Sequence, residues 1–259
     1  ELMKDPAQGL VETSPKVTLK SHLFFNEPLL DFAISEVREK TLTALKNFKA
    51  KMPYHVQPVI EGKSIATQNI FNRVNPSKTS EFVAHVNMAD VSNAEKAMNA
   101  AHSAFKKWKK VSSEDRAAIL EKAANIMVRD RYKLMATQII EVGKPWAEAD
   151  GDITEAIDFL RYYARHQREL SSALTVGHAP GEVSKYIYKP RGVTVVISPW
   201  NFPLAILTGQ VAAALVTGNT VVMKPAEQSS LVALGLFDIF KEAGLPTDTL
   251  QFVPGYGEV

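Results

Sequence analysis

Two short segments carry residues whose types and setting could do chemistry. In Ser198-Pro199-Trp200-Asn201-Phe202-Pro203 a turn joins a β-branched run to an apolar helical stretch. A turn at the carboxyl end of a parallel strand points its side chains into a ligand crevice. A neutral amide there, Asn201, can donate to an oxyanion developing during a reaction. The same residues also suit a plain helix start, with Asn201 as N-cap and Pro203 in the first turn. In Lys224-Pro225-Ala226-Glu227 a carboxylate follows the next strand. It is placed to accept hydrogen bonds from a nucleotide's ribose hydroxyls, with Lys224 beside it for ribose or phosphates. An exposed ion pair in a loop is the other reading. Gly255 and Gly257, after a third strand, leave room for backbone to approach a pyrophosphate.

Other chemistries are excluded by what is missing. The 259 residues contain no cysteine, which removes disulfides, thiolate metal sites and a cysteine nucleophile from this chain. Six histidines (His22, His55, His85, His102, His166 and His178) form no H-E-x-x-H and no close pair. There is no G-x-S-x-G, and no G-x-G-x-x-G at the first strand-to-helix turn. Gly143-Lys144 is not a phosphate loop, because Gln138 stands where the first glycine belongs and Pro145 replaces Ser or Thr. The acidic run Glu148, Asp150, Asp152, Glu155 and Asp158 reads as a solvated helix face. Glu155 stands apart from it, between Ile153 and Ile157 and close to Phe159-Leu160. Thirty basic against 28 acidic residues leave a net charge of +2 and no polybasic surface for nucleic acid or anionic lipid. Residues 192–223 carry no charge and are long enough to cross a bilayer, but Pro199, Asn201, Pro203, Gly209, Gln210 and Gly218 would leave backbone groups unsatisfied in lipid. A soluble, cytoplasmic protein with no integral membrane segment is expected.

The elements that must position these residues follow from periodicity. Residues 1–30 read as an irregular lead-in. A helix over 31–52 places Ile34, Val37, Leu45 and Phe48 on one stripe. Pro53, Pro58 and Glu61-Gly62 then separate short extended pieces, and Phe82, Ala84, Val86 and Met88 alternate as a half-buried strand. Four helices come next. The first is opened by a Ser92–Glu95 capping box, with Ala97, Ala101, Ala104, Phe105 and Trp108 inside. The second covers 113–130, with Leu120, Ala124, Met127 and Val128 inside. The third covers 131–141 and the fourth 146–170. After Ser171 come a strand at 183–188, a strand at 193–197, an apolar helix over 203–217 closed by Gly218, and a strand at 220–223. A helix over 229–243 closed by Gly244 and a strand at 250–253 complete the series. This β-α-β-α-β pattern with short links predicts a parallel sheet with right-handed crossovers. Three strands with an open edge at the third make an incomplete unit, and the chain reads as cut.

Taken together, Ile197-Ser198-Pro199-Trp200-Asn201-Phe202-Pro203 and Lys224-Pro225-Ala226-Glu227 resemble the cofactor-side motifs of the aldehyde dehydrogenase superfamily. The stretch from Glu141-Val142-Gly143-Lys144-Pro145-Trp146 to Glu155-Ala156-Ile157-Asp158-Phe159 is similar to its Δ1-pyrroline-5-carboxylate (glutamate semialdehyde) dehydrogenase branch. Phe25-Asn26-Glu27-Pro28 through Asp31-Phe32 resembles the segment joining the two enzymes of bifunctional proline-utilisation (PutA) proteins.

The resemblance implies an α/β, aldehyde-dehydrogenase-like fold. Residues 1–52 would be a linker and first helix, and 53–190 the helical and extended part of an NAD-binding domain. Residues 191–259 would be its Rossmann-like core, truncated, with the catalytic domain absent. It implies oxidation of L-glutamate γ-semialdehyde to L-glutamate with NAD⁺, in a parent protein that is a homo-oligomer. FAD would belong only to a proline dehydrogenase domain outside this chain. Asn201 would be the oxyanion-hole side chain, and Phe202 would pack on the aliphatic substrate. Lys224 and Glu227 would hold the ribose. Ile197, Ser198, Pro199 and Trp200 would line the cofactor cleft, with Ala226 and Gly257 on the same side, and Glu155 would stand near the substrate entrance. The nucleophilic cysteine and general-base glutamate would lie beyond Val259, leaving this chain inactive alone. The competing reading is a non-catalytic nucleotide-binding or interaction protein that keeps half of the fold.

Overall fold

The computed structural model describes residues 24–258, so most of the expected lead-in lies outside the described residues. Helix α1 (Ser35–Lys49) is followed by β1 (Tyr54–Val56), β2 (Val59–Ile60), β3 (Lys63–Ser64), β4 (Ile70–Asn75) and β5 (Lys78–Asn87). Four helices come next: α2 (Val91–Trp108), α3 (Ser113–Arg129), α4 (Arg131–Val142) and α5 (Trp146–Leu170). The remainder is β6 (Leu174–Ala179), β7 (Glu182–Tyr186), β8 (Val193–Ile197), α6 (Ala205–Val216), β9 (Thr220–Lys224), α7 (Ser230–Glu242) and β10 (Leu250–Phe252).

The parallel unit expected after Ser171 is present. β8, β9 and β10 run parallel, with Ile197 opposite Lys224 and Met223 opposite Phe252. The open edge, however, is not at the third strand. β10 is covered by β2, which pairs antiparallel through Val59 and Phe252, and β3 extends the sheet further, in the order β3-β2-β10-β9-β8. A two-residue strand from almost 200 positions upstream leaves no local signal of its partner. The free edge of the parallel strands is β8, where Val195 is 50% and Ile197 65% exposed, and the short β3 forms the sheet's other edge.

Helix α6 is apolar on most sides because most of it is covered, Gln210 being its one exposed residue. Gly209 lets it approach α5, where a Cβ would stand 3.2 Å from the Phe159 ring. Its orphan carbonyls at Leu215 and Val216 accept from Trp108 Nε1 (3.1 Å) and Arg116 Nε (2.8 Å). Gly218 (φ 89°) and Gly244 (φ 95°) end their helices in the left-handed conformation that glycine adopts without strain. One core runs from Phe48 through Leu120, Ile153 and Leu215 to Phe252.

Several local expectations are corrected. Helix α1 starts at Ser35, leaving Ile34 before it and exposed, while Thr41 takes a buried position. The capping box of α2 is Asp90 with Asn93, not Ser92 with Glu95: Asn93 N–H donates to Asp90 Oδ1 (2.8 Å) and Asp90 N–H to Asn93 Oδ1 (3.1 Å). In β5 the alternation holds for Ala84, Val86 and Met88, but Phe82 is exposed. Val74 pairs with Phe82 and Arg73 with Ala84, so Val83 is an extra bulge residue that reverses the faces. Val128 lies on the outer side of α3. The strand expected at 183–188 is β7, the second half of a hairpin whose first strand, β6, was not anticipated. Both strands are fully exposed, so no buried face imposes a readable pattern. Among the described residues no helix is long and apolar enough to cross a membrane.

Candidate active site

The carboxyl ends of β8, β9 and β10 lie side by side, and each carries one of the segments singled out from sequence. Because Ile197 pairs with Lys224, the turn at 198–202 and the turn at 225–227 emerge next to each other. Ser198 is buried, whereas Pro199, Trp200, Asn201 and Phe202 are exposed. Lys224 Nζ lies 3.8 Å from Glu227 Oε1 and donates to the Pro225 carbonyl (3.1 Å). The ion pair is therefore made, loosely, and the Glu227 carboxylate keeps free accepting capacity. Gly257, past the end of β10, has open space where a Cβ would be. Ala226, between Lys224 and Glu227 in sequence, is buried.

The helix-start reading of Asn201 does not survive. α6 begins at Ala205, and its N-terminal amides are capped from another helix. Leu204 N–H donates to Asp152 Oδ2 (3.1 Å) and Ala205 N–H to Asp152 Oδ1 (3.2 Å). Pro203 therefore precedes the helix, and the Asn201 side-chain amide makes no hydrogen bond among the described residues. Its backbone carbonyl accepts from Lys144 Nζ (2.8 Å), which also sits 4.3 Å above the Phe202 ring as a cation–π contact.

Helix α7 is built the same way. Leu231 and Val232 N–H donate to the two carboxylate oxygens of Glu141 (2.7 and 2.8 Å). The Glu141 carbonyl in turn accepts from Arg73 Nε (2.9 Å) and Nη2 (2.5 Å). Neither α6 nor α7 has a side-chain cap of its own.

The acidic run is accordingly a solvated face only in part: Glu148 and Glu155 are exposed, and the aspartates are not. Asp150 and Asp152 are each 1% exposed. Asp150 accepts from Arg131 Nε (2.6 Å) and from Leu30 N–H (2.8 Å). Asp158 accepts from Asn26 Nδ2 (2.7 Å) and Glu27 N–H (2.8 Å). These carboxylates lash residues 26–30 to α5. Sequence reasoning missed Glu141, Lys144 and Asp152 as functional groups. The available signal was phase: Asp152 falls in register with the apolar stripe Ala149, Ile153, Ala156 and Leu160, where a carboxylate must find donors or not be buried.

Glu155 is exposed while its neighbours Ile153 and Ile157 are buried. It faces an open hollow of about 590 Å³ lined also by Phe24, Glu27, Phe159, Tyr162 and Tyr163. No residue of the 198–202 turn lines that hollow, so the described residues do not bring Glu155 against Asn201. A second hollow, about 530 Å³, lies between α1, α4 and α7 and contains none of the strand-end residues. Among the described residues no cluster of His, Asp and Glu could hold a metal ion.

Burial pushes the Glu141 carboxyl up from its ordinary 4.5 to about 7, against the pull of its two amide donors and Arg73. Burial pushes Asp152 up from 3.8 to about 6, opposed by Lys144 and the amides of Ala205 and Leu204, and assisted by Glu155. A carboxyl with a raised folded-state value binds protons that the unfolded chain has released. Its contribution to stability therefore falls as pH rises through the interval, about 4.5 to 7 for Glu141 and 3.8 to 6 for Asp152. Urea unfolding of the parent and of Glu141→Gln between pH 4.5 and pH 8 checks this. The parent's stability relative to the variant should decline up to about pH 7 and then level, and a difference independent of pH would contradict it.

Residues 63–259 match the aldehyde dehydrogenase family. Over 232 residues the chain is 43% identical to a 1-pyrroline-5-carboxylate dehydrogenase of Geobacillus kaustophilus, covering 90% of this chain and 45% of that protein. Among solved structures it is similar to proline utilization A (PutA) from Bdellovibrio bacteriovorus inactivated by N-propargylglycine, with 60% identity and a TM-score of 0.92. That match covers 99% of this chain and 27% of PutA. It is also similar to 1-pyrroline-5-carboxylate dehydrogenase from Thermus with bound NAD, with 41% identity and a TM-score of 0.88, covering 93% and 47% of the two chains. The chain thus spans about half the length of the curated relatives it matches.

Proposed function

The chain belongs to the aldehyde dehydrogenase family, and from that premise we propose that it is the cofactor-side part of an NAD-dependent enzyme that oxidises L-glutamate γ-semialdehyde to L-glutamate in proline catabolism. The observation that carries the reading is the adjacency of the Asn201 and Glu227 turns at the paired ends of β8 and β9. The relatives named 1-pyrroline-5-carboxylate dehydrogenase and PutA supply the substrate class.

The residues present fit a dinucleotide. Glu227 offers a carboxylate acceptor to a ribose diol, with Lys224 as the neighbouring donor. Ile197 and Trp200 offer exposed apolar surface, and Gly257 offers open backbone. NAD⁺ when bound supplies the hydride acceptor. In the reaction Asn201 donates its side-chain amide to the oxygen that becomes anionic, and Phe202, its ring held under Lys144, packs against the aliphatic part of the substrate. Glu155 guards the substrate entrance from its hollow on α5. The nucleophilic cysteine and the general-base glutamate belong to sequence outside these 259 residues. So does FAD, which serves a fused proline dehydrogenase unit. The parent protein is cytoplasmic and homo-oligomeric, and the exposed β6–β7 hairpin, with Leu174, Val176, Val183 and Tyr186 uncovered, offers a surface for self-association. Reading the coding frame on both sides tests this assignment. A downstream glycine-flanked cysteine supports it, and a stop codon directly after Val259 would favour the non-catalytic reading.

Cofactor choice follows from Glu227. Its carboxylate accepts from ribose hydroxyls and repels a 2′-phosphate, so the protein from the complete frame should show higher kcat/KM with NAD⁺ than with NADP⁺. Glu227→Gln should narrow the ratio. Steady-state kinetics with both cofactors check this, and a preference for NADP⁺ in the parent would contradict it.

A further inference from the structure

The corner where α4 gives way to α5 reaches both ligand turns at once, through Glu141 and Asp152, which are buried, and Lys144, which is partly so. Gly143 ends α4 in the left-handed conformation (φ 76°), with Pro76 Cγ 3.0 Å from where a Cβ would stand, so the chain turns there in a tight space. Around that turn stand Glu141, Lys144 and Asp152. Asp152 takes the two amides at 204 and 205, directly after the Asn201 turn. Lys144 grips the same turn through the Asn201 carbonyl and the Phe202 ring. Glu141 takes the two amides at 231 and 232, four residues past Glu227.

Helix N-termini have orphan donors, and a cap supplied by a neighbouring turn leaves the helix free to shift with its own loop. Here both caps come instead from one rigid pair of helices. Each carboxylate uses both oxygens, which fixes direction as well as distance. We propose that Glu141, Lys144 and Asp152 are positioning residues: Asp152 and Lys144 set the turn that carries Asn201, and Glu141 sets the turn that carries Glu227.

This rests on the dinucleotide-dependent reading of those turns and adds a division of labour to it. The Asn201 turn acts on the reacting oxygen, so disturbing it reduces turnover. The Glu227 turn acts on the cofactor's ribose, so disturbing it weakens cofactor binding. A misplacement of about 1 Å in a reacting geometry costs up to about a hundredfold in rate.

The test uses the protein expressed from its complete frame, with three readouts: NAD⁺ affinity by titration calorimetry, kcat at saturating NAD⁺, and hydrogen exchange of peptides covering 200–208 and 227–235. Asp152→Asn, in which an amide NH₂ faces one of the two helix amides, should lose exchange protection at 204–205. Its kcat should fall roughly 10- to 100-fold, with NAD⁺ Kd within about threefold of the parent. Glu141→Gln should lose protection at 231–232 and weaken NAD⁺ roughly tenfold, with kcat within about threefold. Lys144→Met, at a partly buried position that packs on the turn from outside, should reproduce the Asp152 pattern in milder form. Should Glu141→Gln fail to fold, Glu141→Asp keeps the charge but withdraws it by one methylene, and should show the same loss of NAD⁺ affinity.

Variants in which kcat and Kd change together, in proportion to lost thermal stability, would overturn the proposal, as would unchanged values in all of them. If the unmodified protein binds no NAD⁺, the dinucleotide reading itself fails and takes this inference with it. Exchange protection then still reports whether the corner holds the two turns.

Discussion

Residues 1–259, purified alone, will form no NADH from L-glutamate γ-semialdehyde at any pH or NAD⁺ concentration. The aldehyde carbon must be converted into a tetrahedral adduct before a hydride can leave, and that step needs an activated nucleophile. The chain has no cysteine. The amines nearest the site are committed: Lys144 to the Asn201 carbonyl and the Phe202 ring, Lys224 to the Pro225 carbonyl and Glu227. The hydroxyl closest in sequence, Ser198, is buried. Of the histidines, His85 is engaged with Asn72 Oδ1 (2.6 Å) and His166 with Glu169 (3.1 Å). Cofactor binding should also be weak, because β8 presents an unpaired edge with Val195 and Ile197 uncovered, next to the crevice. Exposed strand edges of this kind favour self-association, so the lone chain should sediment as aggregates. Absorbance at the NADH band, followed before and after addition of the complementary C-terminal piece, decides the matter. Turnover only on complementation is expected, and clear turnover by the lone chain would refute the assignment of the nucleophile.

Asn201→Ala, in the protein from its complete frame, should lower kcat by roughly 10²–10³ while leaving thermal stability nearly unchanged. The first half follows from the loss of a donor aimed at developing negative charge. The second half follows from the structure. A helix-capping asparagine would cost about 1 kcal/mol on truncation, but α6 is capped by Asp152, so nothing folded depends on the Asn201 amide. The pairing of a large kinetic loss with a small stability loss is the signature to look for. A near-parental kcat would assign oxyanion stabilisation to other groups.

Much of the scaffold is legible in the sequence. The fourth helix, Trp146–Leu170, has the extent read from sequence, and so has the strand Val193–Ile197. A long 3.6-residue period and a compact β-branched run are local signals, and both elements lie where those signals put them. The parallel β-α-β-α-β order was legible for the same reason, since Gly218 and Gly244 mark the helix ends within a few residues of the strands that follow. The strand ends then had to carry 198–202 and 224–227, and any ligand had to meet them there.

Other features rest on contacts between residues far apart in the chain. The exposed hairpin β6–β7 buries no face, so its alternation has nothing to distinguish in from out. The pairing of Val59 with Phe252 joins two short strands whose neighbours say nothing of each other. The caps show the same limit at the candidate site. Asp152 looks like one more acid in a charged run, Glu141 is a lone charge between Ile140 and Val142, and Asn201 looks like an ordinary cap. By composition and spacing the sequence determined which groups are present, which are missing and which turns display them. Only the packing of α4 against α7 and of α5 against α6 decided that the acids hold the helices and the amide is left free. A buried carboxylate must find donors, and which donors come within reach is a property of the assembled layers rather than of any segment.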